Sequence, residues 1–121
     1  MSAALLVGVG LLGGIGTIAR FLLDGTVSSR LGREFPYGTL AVNLLGSFLF
    51  GVLIGAALTG DAARLAGTGL LGGFTTFSTW AFESHRLGED GRLRSGVGNI
   101  VVSLVLGVLA AVAGRYLGGA L

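Results

Sequence analysis

The sequence predicts an all-α membrane protein with four transmembrane helices. Apolar residues make up 52% of the 121 positions and the mean hydropathy is +0.86. Charged residues make up only 12%, about half of what a soluble domain carries. The charges also divide the chain into four apolar runs, each close to the ~20 residues that a bilayer-spanning helix requires.

We place the four spans at residues 3–23, 38–58, 65–83 and 96–118, in a single domain covering residues 1–121. The first run has no basic segment before it, which disfavours a cleaved signal peptide. The helices of a soluble bundle would each show a polar stripe of period 3.6, whereas residues 52–58 and 101–113 are almost entirely apolar. We therefore expect a multi-pass protein of the cell membrane, with lipid as its surroundings.

Composition excludes several classes of function. The chain has no cysteine and one histidine, His85, so disulfides and histidine–cysteine metal sites are excluded. All eight basic residues are arginines, the net charge is only +2, and the arginines lie among acids in short loops, so we expect no nucleic-acid binding. No pairing of a nucleophile with a base is recognisable, which argues against an enzyme.

The glycines predict close helix packing. The chain has 24 of them, and several are spaced four residues apart, as in membrane helices whose backbones approach closely. These pairs are Gly10/Gly14, Gly51/Gly55, Gly69/Gly73 and Gly114/Gly118. Four thin helices do not easily enclose a hydrophilic path, so we expect an oligomer.

The arginines predict an orientation. Loops one and three carry Arg30, Arg33, Arg86, Arg92 and Arg94, with Arg20 at the edge of loop one. The other side carries only Arg64 and Arg115. Because cytoplasmic loops are enriched in arginine and lysine, loops one and three are expected in the cytoplasm and both termini outside.

Several polar residues lie within or at the edges of the spans, where each has two interpretations. Asn43 either forms an interhelical hydrogen bond or offers its amide N–H groups to an anion. Arg20 either extends to the membrane surface or supplies a fixed positive charge to a vestibule. Glu83 is either interfacial or borders an anion route. Ser103, one helical turn after Asn99, adds a hydroxyl to span four.

Span three contains the stretch "GGFTTFSTWAF", from Gly72 to Phe82. Adjacent glycines followed by two threonines are poor helix formers, so the helix can break here and free backbone carbonyls that suit a small cation. The alternative is a small-residue packing face in which threonine hydroxyls bond to carbonyls four residues earlier. The residues by themselves leave both possibilities open.

Beyond this point Phe77 and Trp80 lie on one helical face, with the hydroxyls of Ser78 and Thr79 beside them. The rings either pack against other helices or present their positive edges to an anion. In the second case, ring edges, hydroxyls and amide donors together would replace the hydration shell of a small, hard anion without the help of a cation.

Three stretches resemble the CrcB/Fluc family of fluoride channels: "GGFTTFSTWAFE" in span three, "GTLAVNLLGSF" in span two and "GGIGTIARF" in span one. The resemblance extends over the whole chain. It implies an antiparallel, inverted dimer with two pores, a broken third helix and a structural sodium ion at the dimer centre. It also implies passive export of fluoride that has entered as hydrogen fluoride and ionised inside the cell.

The resemblance also implies individual roles. Sodium would be held by the backbone carbonyls of Gly72 and Thr75 from both subunits. The fluoride pore would be lined by Phe77, Trp80, Asn43, Ser78, Thr79 and Ser103. Arg20 would lie in a vestibule, and Glu83 matches an acid of the family.

This chain departs from the family at two positions. Trp80 stands where the family usually has phenylalanine, and Val101 where some members have an aromatic residue. The indole is bulkier, and the arginines are unevenly distributed between the two sides of the membrane. Two arrangements therefore stay open, a homodimer and a heterodimer with a sister subunit of opposite orientation.

Two other functions compete with the channel. A small multidrug exporter has a similar number of spans, but it needs an acid embedded in the membrane for proton coupling, and span one has none. A non-transporting accessory subunit would not need Asn43 and a series of hydroxyls deep in its spans.

Overall fold

The computed structural model describes all 121 residues and consists of helices without strands. The elements are α1 (Ala3–Leu31), α2 (Tyr37–Gly55), α3 (Gly60–Ala63), a π-helical segment (Arg64–Leu71), α4 (Gly72–Phe74), α5 (Phe77–Glu89) and α6 (Leu93–Gly119). By length and composition, α1, α2 and α6 can each cross a membrane unbroken. The elements from α3 to α5 form one further unit that is bent at its middle, so the architecture fits the four predicted helices.

The helices do not end where the predicted spans end. α1 continues to Leu31, past the predicted limit at residue 23, and α5 continues to Glu89, past residue 83. α2 ends earlier than predicted, at Gly55. α1 and α5 run on because a charged residue marks the end of an apolar run, whereas the backbone hydrogen bonds of a helix can continue beyond it. α2 ends early because the chain turns at Ala57, which has a positive φ of 57°.

The apolar faces of the long helices point away from the chain's own interior. Only 11% of the residues in the most apolar windows of α1 and α6 are buried. A soluble four-helix bundle would bury such faces, because large exposed apolar patches are rare on monomeric soluble proteins. These faces are therefore suited to lipid or to another membrane-embedded subunit.

Glycines bring α2 and α6 together in the most extensive helix pair of the fold. Four glycines lie so close to the facing backbone that a methyl group in their place would overlap a carbonyl oxygen. They are Gly51 and Gly55 on α2 and Gly114 and Gly118 on α6. Two of the predicted glycine pairs are therefore direct helix contacts, as small residues at membrane interfaces should be.

The remaining two glycine pairs differ from each other. Gly69 and Gly73 pack on α1, where a methyl group at Gly73 would overlap the Gly13 carbonyl oxygen. A methyl group at Gly10 or Gly14 would meet no atom within 4 Å, so within the chain these two glycines make no close helix contact. α1 uses other glycines instead, because its contact face is set by where the bent unit crosses it.

The π-helical segment Arg64–Leu71 was not predicted from the sequence. Its wider turn, with hydrogen bonds from residue i to i+5, is uncommon and is frequently associated with functional sites. Two of its three buried residues are glycines, Gly67 and Gly69, and the segment packs mainly on α1. The segment leads directly into α4 and the bend.

Substitution of Gly114 by alanine should destabilise the fold, because the added methyl group meets the Phe48 carbonyl oxygen of α2 and forces the helices apart. Overpacking of this kind costs about 1–3 kcal/mol. Gly98→Ala is the matched control, since it lies on the same helix with no atom within 4 Å of the new methyl. The midpoint of thermal unfolding in detergent should fall for Gly114→Ala only, and equal midpoints would contradict this packing.

Candidate functional site

The bent unit is interrupted at two threonines. Thr75 has φ −81° and ψ 157°, and Thr76 has φ −144° and ψ 121°, so both are extended rather than helical. The helix stops at Phe74 and begins again at Phe77. Of the two possibilities that the sequence left open, the structure shows the break.

Asn43 of α2 pairs with the backbone at this break. Its Nδ2 donates to the Thr76 carbonyl oxygen at 2.8 Å, and its Oδ1 accepts from the Thr76 N–H at 2.9 Å. The side-chain amide thus reproduces the two hydrogen bonds that a neighbouring peptide group would supply. This is the interhelical hydrogen bond expected as one role of Asn43, and the second N–H of its Nδ2 is still available to another acceptor.

Thr76 also begins the second half of the broken helix. Its Oγ1 accepts from the Thr79 N–H at 3.2 Å, which caps α5, and its hydroxyl contacts the Thr79 hydroxyl at 3.1 Å. A threonine in this position satisfies one of the free N–H groups at a helix start. The break is therefore closed from two sides, by Asn43 at the backbone and by the Thr76 side chain.

The first half of the break is held by threonine hydroxyls. Thr75 donates to the Leu71 carbonyl oxygen at 3.1 Å, which is the bond to a carbonyl four residues earlier that the packing-face alternative foresaw. Thr17 of α1 contacts both the Gly13 oxygen at 2.9 Å and the Gly73 oxygen at 3.2 Å. The hydroxyls thus tie α4 to α1 just before the chain becomes extended.

The carbonyl oxygens of Gly72 and Thr75 take part in none of these hydrogen bonds. Gly72 is exposed and Thr75 is half-buried, so both lie near the surface of the chain. Uncommitted carbonyl oxygens are hard ligands of the type that a small cation prefers. No cluster of three acidic, histidine or cysteine side chains is present in the chain.

The aromatic residues at the start of α5 form a pair at the surface. The ring centroids of Phe77 and Trp80 are 5.2 Å apart with a tilt of 58°, a geometry in which one ring's edge faces the other ring. Phe77 is 76% exposed, so most of its ring is available to a neighbouring molecule. The Trp80 Nε1 is buried and has no hydrogen-bond partner.

Two cavities meet at Thr79. The smaller, of about 160 Å³, contains Arg20 and is lined by Thr17, Arg20, Phe21, Asp24, Thr39, Val42, Thr76 and Thr79. The larger, of about 470 Å³, contains Glu83 and opens beside loops one and three. Buried atoms of both side chains, Arg20 Nε and Glu83 Oε1, have no partner within the chain. The predicted arginine and acid therefore lie in two adjoining cavities that share Thr79.

Sequence reasoning missed three residues of this region. Thr39 lines the smaller cavity four residues before Asn43, and this spacing on a helix was a signal that would have found it. Asp24 reaches from α1 to the first turn of α2, where a methyl at Gly38 would overlap its carboxylate. Ser84 is bonded to Asn99, a contact between α5 and α6 that no spacing within one helix reveals.

Ser103 is not brought next to Ser78 or Thr79 by a hydrogen bond. Its hydroxyl donates to the Asn99 Oδ1 at 3.3 Å, so its partner in the chain is on its own helix. Ser78 is exposed, and the only hydrogen bond of its side chain is a 3.5 Å contact with the Thr76 hydroxyl. The predicted hydroxyls thus occupy the α5 and α6 faces without forming one continuous series within the chain.

Comparison with known proteins gives consistent matches. The family model described as "CrcB-like protein, Camphor Resistance (CrcB)" matches residues 7–115. The protein named "Fluoride-specific ion channel FluC 2" from Mycobacterium tuberculosis is 55% identical over 117 residues, covering 97% of this chain and 93% of the relative. "Fluoride-specific ion channel FluC" from Syntrophotalea carbinolica is 42% identical, covering 93% and 95%. The protein of the same name from Geobacter sulfurreducens is 44% identical, covering 88% and 90%.

The family model thus spans nearly all of the chain, and the relatives align with it from end to end. The helices α1, α2 and α6 add the long apolar segments of a multi-pass membrane protein. The resemblance found in the sequence motifs is confirmed, and the chain belongs to the CrcB-like protein family.

Proposed function

We propose that this chain is a subunit of a fluoride-selective, passive ion channel that releases cytoplasmic fluoride and is not an enzyme. The observation that carries the proposal is the 55% identity, over 97% of the chain, to a protein named as a fluoride-specific ion channel. The physical logic is that hydrogen fluoride crosses membranes as a neutral acid and ionises inside. A channel for the anion then lets it leave down its gradient without an energy source.

The chemistry of the site suits a small anion. Selectivity in channels comes from replacing the ion's hydration shell with groups of matching charge and size. Here the candidates are the exposed edge of Phe77, the unpartnered indole N–H of Trp80 and the free N–H of Asn43. The hydroxyls of Ser78, Thr79 and Ser103 extend this series. None of these groups carries a full charge, so an anion is stabilised without being trapped.

Arg20 and Glu83 would act at the two cavities that adjoin Thr79. The Arg20 guanidinium supplies a fixed positive charge to the smaller cavity, which raises the local concentration of anions. Glu83 faces the larger cavity beside loops one and three. A carboxylate that borders an anion route must be paired or protonated, and Arg33, Arg86 and Arg92 line the same cavity.

Sodium is proposed as a structural ion bound by the Gly72 and Thr75 carbonyl oxygens. The support is that neither oxygen is used by the hydrogen bonds that close the break. When bound, the ion would supply positive charge that compensates these carbonyl dipoles at membrane depth. Two oxygens from one chain are too few for a sodium ion, so a second subunit would provide the others.

An antiparallel dimer follows from the same surface. Phe77 and Gly72 are both exposed in the single chain. An inverted partner, either a second copy or a sister subunit, would cover these residues and form two routes, which are equivalent only if the partner is a second copy. The ring edges of Phe77 and Trp80 in one chain would then face the amide and hydroxyl groups of the other chain.

Efflux from liposomes tests the function directly. Purified protein in vesicles loaded with fluoride should release it within seconds of dilution, as an ion-selective electrode measures, while vesicles loaded with chloride should retain theirs. Release by the chain alone supports a homodimer, and release only after co-expression with a sister subunit supports a heterodimer. Retention of fluoride in both preparations would disprove the channel.

Replacement of Phe77 by isoleucine should lower fluoride efflux by about tenfold or more, because an aliphatic side chain has no positive edge for the anion. Phe50→Ile is the matched control, since Phe50 lies beside Gly67 and away from the break. Both variants should elute as the same oligomer in gel filtration. Wild-type efflux in Phe77→Ile would remove this ring from the path.

Asn43→Asp should also lower efflux by on the order of tenfold. Aspartate keeps an acceptor for the Thr76 N–H but loses the donor to the Thr76 carbonyl, and it places a negative charge where an anion must pass. Ser47→Ala is the control, because Ser47 lies one turn further along α2 and makes no side-chain hydrogen bond. Equal efflux in wild type and Asn43→Asp, measured in the same liposome assay, would exclude Asn43 from the path.

A further inference from the structure

A short series of hydrogen bonds joins α5 to α6 away from the break. Asn99 is 1% exposed, and its Nδ2 donates to the Ser84 Oγ at 2.8 Å. The Ser84 hydroxyl donates to the Trp80 carbonyl oxygen at 2.9 Å. At the other end, the Ser103 hydroxyl donates to the Asn99 Oδ1 at 3.3 Å. The series therefore runs from Ser103 through Asn99 and Ser84 to Trp80.

The direction of every bond in this series is set by its last member. A carbonyl oxygen only accepts, so the Ser84 proton must point to Trp80 and the Ser84 oxygen must accept. Asn99 must then turn its NH₂ group to Ser84 and its oxygen to Ser103. Ser103 has to donate in turn, and its only proton is directed at Asn99 rather than outward.

The same series is the main internal attachment of α5. Only two residues of this helix, Ser84 and Leu87, are buried, and α6 is its principal neighbour. Gly96 allows the close approach, since a methyl group there would lie 2.8 Å from the Ser84 carbonyl oxygen. The start of α5 is held separately, by the Thr76 hydroxyl oxygen that accepts from the Thr79 N–H. Further along the helix, the bond between Ser84 and Asn99 helps to set where the other faces of α5 point.

We propose that Asn99 is a positioning residue for the anion path, an inference that rests on the proposed channel function. Through Ser84 it holds α5 in register on α6, and so places Phe77, Thr79 and Trp80. Asn99 also accepts the hydroxyl proton of Ser103 in a weaker bond of 3.3 Å. An anion in the path would displace this bond and accept the Ser103 hydroxyl in its place. Asn99 acts through its neighbours, because it is almost fully buried and both ends of its amide are engaged.

The test compares Ser84→Ala, Asn99→Leu and the double variant with Ser95→Ala. Ser95 lies one turn before Asn99 on α6 and makes no side-chain hydrogen bond, so it is the matched control. Trp80 is the only tryptophan of the chain, and its emission maximum reports the surroundings of α5 without a label. Fluoride efflux, the ratio of fluoride to chloride efflux and this emission maximum are measured for oligomer isolated by gel filtration.

Each single variant should lower fluoride efflux by on the order of tenfold, reduce the fluoride-to-chloride ratio and shift the Trp80 emission. The double variant should be no worse than the poorer single variant, since residues that act through one contact are not additive. Ser95→Ala should match wild type in all three measurements.

Three results would overturn the proposal. Ser84→Ala with wild-type efflux and emission, beside a defective Asn99→Leu, would mean that Asn99 contacts the anion itself. If the reduction in fluoride efflux of the double variant equals the product of the two single reductions, Ser84 and Asn99 act separately. An effect of Ser95→Ala as large as the others would mean a general loss of packing. Should wild type release no fluoride, either alone or with a co-expressed sister subunit, the channel function fails, and the emission shifts still decide whether Asn99 positions α5.

Discussion

Everything in this fold depends on pairing the backbone where the third helix breaks. At membrane depth an N–H or carbonyl without a partner costs several kcal/mol, so extended residues exist there only if other groups satisfy them. Asn43 does this for both polar groups of Thr76, and the Thr76 hydroxyl does it for the start of α5. Because the pairing comes from α2, the position of α2 fixes where the break occurs. The Gly72 and Thr75 oxygens are left outside this pairing.

The glycine contacts follow from this requirement. An asparagine side chain is short, so α2 must approach the break closely, and Gly46 of α2 lies directly against the Thr75 side chain. A methyl group at that glycine would overlap the threonine. On the other side of the unit, Gly16 of α1 lies against the Leu70 carbonyl oxygen at the end of the π-helical segment. Glycines of α1 and α2 thus leave the narrow space that the bent unit occupies where Thr75 and Thr76 are extended.

The sequence predicted the parts of this arrangement that depend on solvent and on local chemistry. Runs without charge located α1, α2, α6 and the bent unit between α2 and α6, and adjacent glycines followed by threonines located the possible break. Polarity at membrane depth also singled out Asn43, although its partner was not predictable. The partner is a backbone group 33 positions away, and backbone groups are the same at every residue. The π-helical segment was missed for a similar reason, since its residues do not differ in type from those of an ordinary helix.

The contacts of α5 explain why the predicted pore residues are only partly assembled in one chain. α4 and the break are surrounded by α1 and α2, whereas α5 lies chiefly against α6 and exposes Phe77. The two halves of the broken helix are thus held by different neighbours, and only residues 75 and 76 connect them. The break keeps its own hydrogen bonds to α1 and α2, through Thr17 and Asn43, whatever side chain stands at position 80. None of these bonds involves the side chain of Trp80, which explains how an indole at this position is compatible with an intact break.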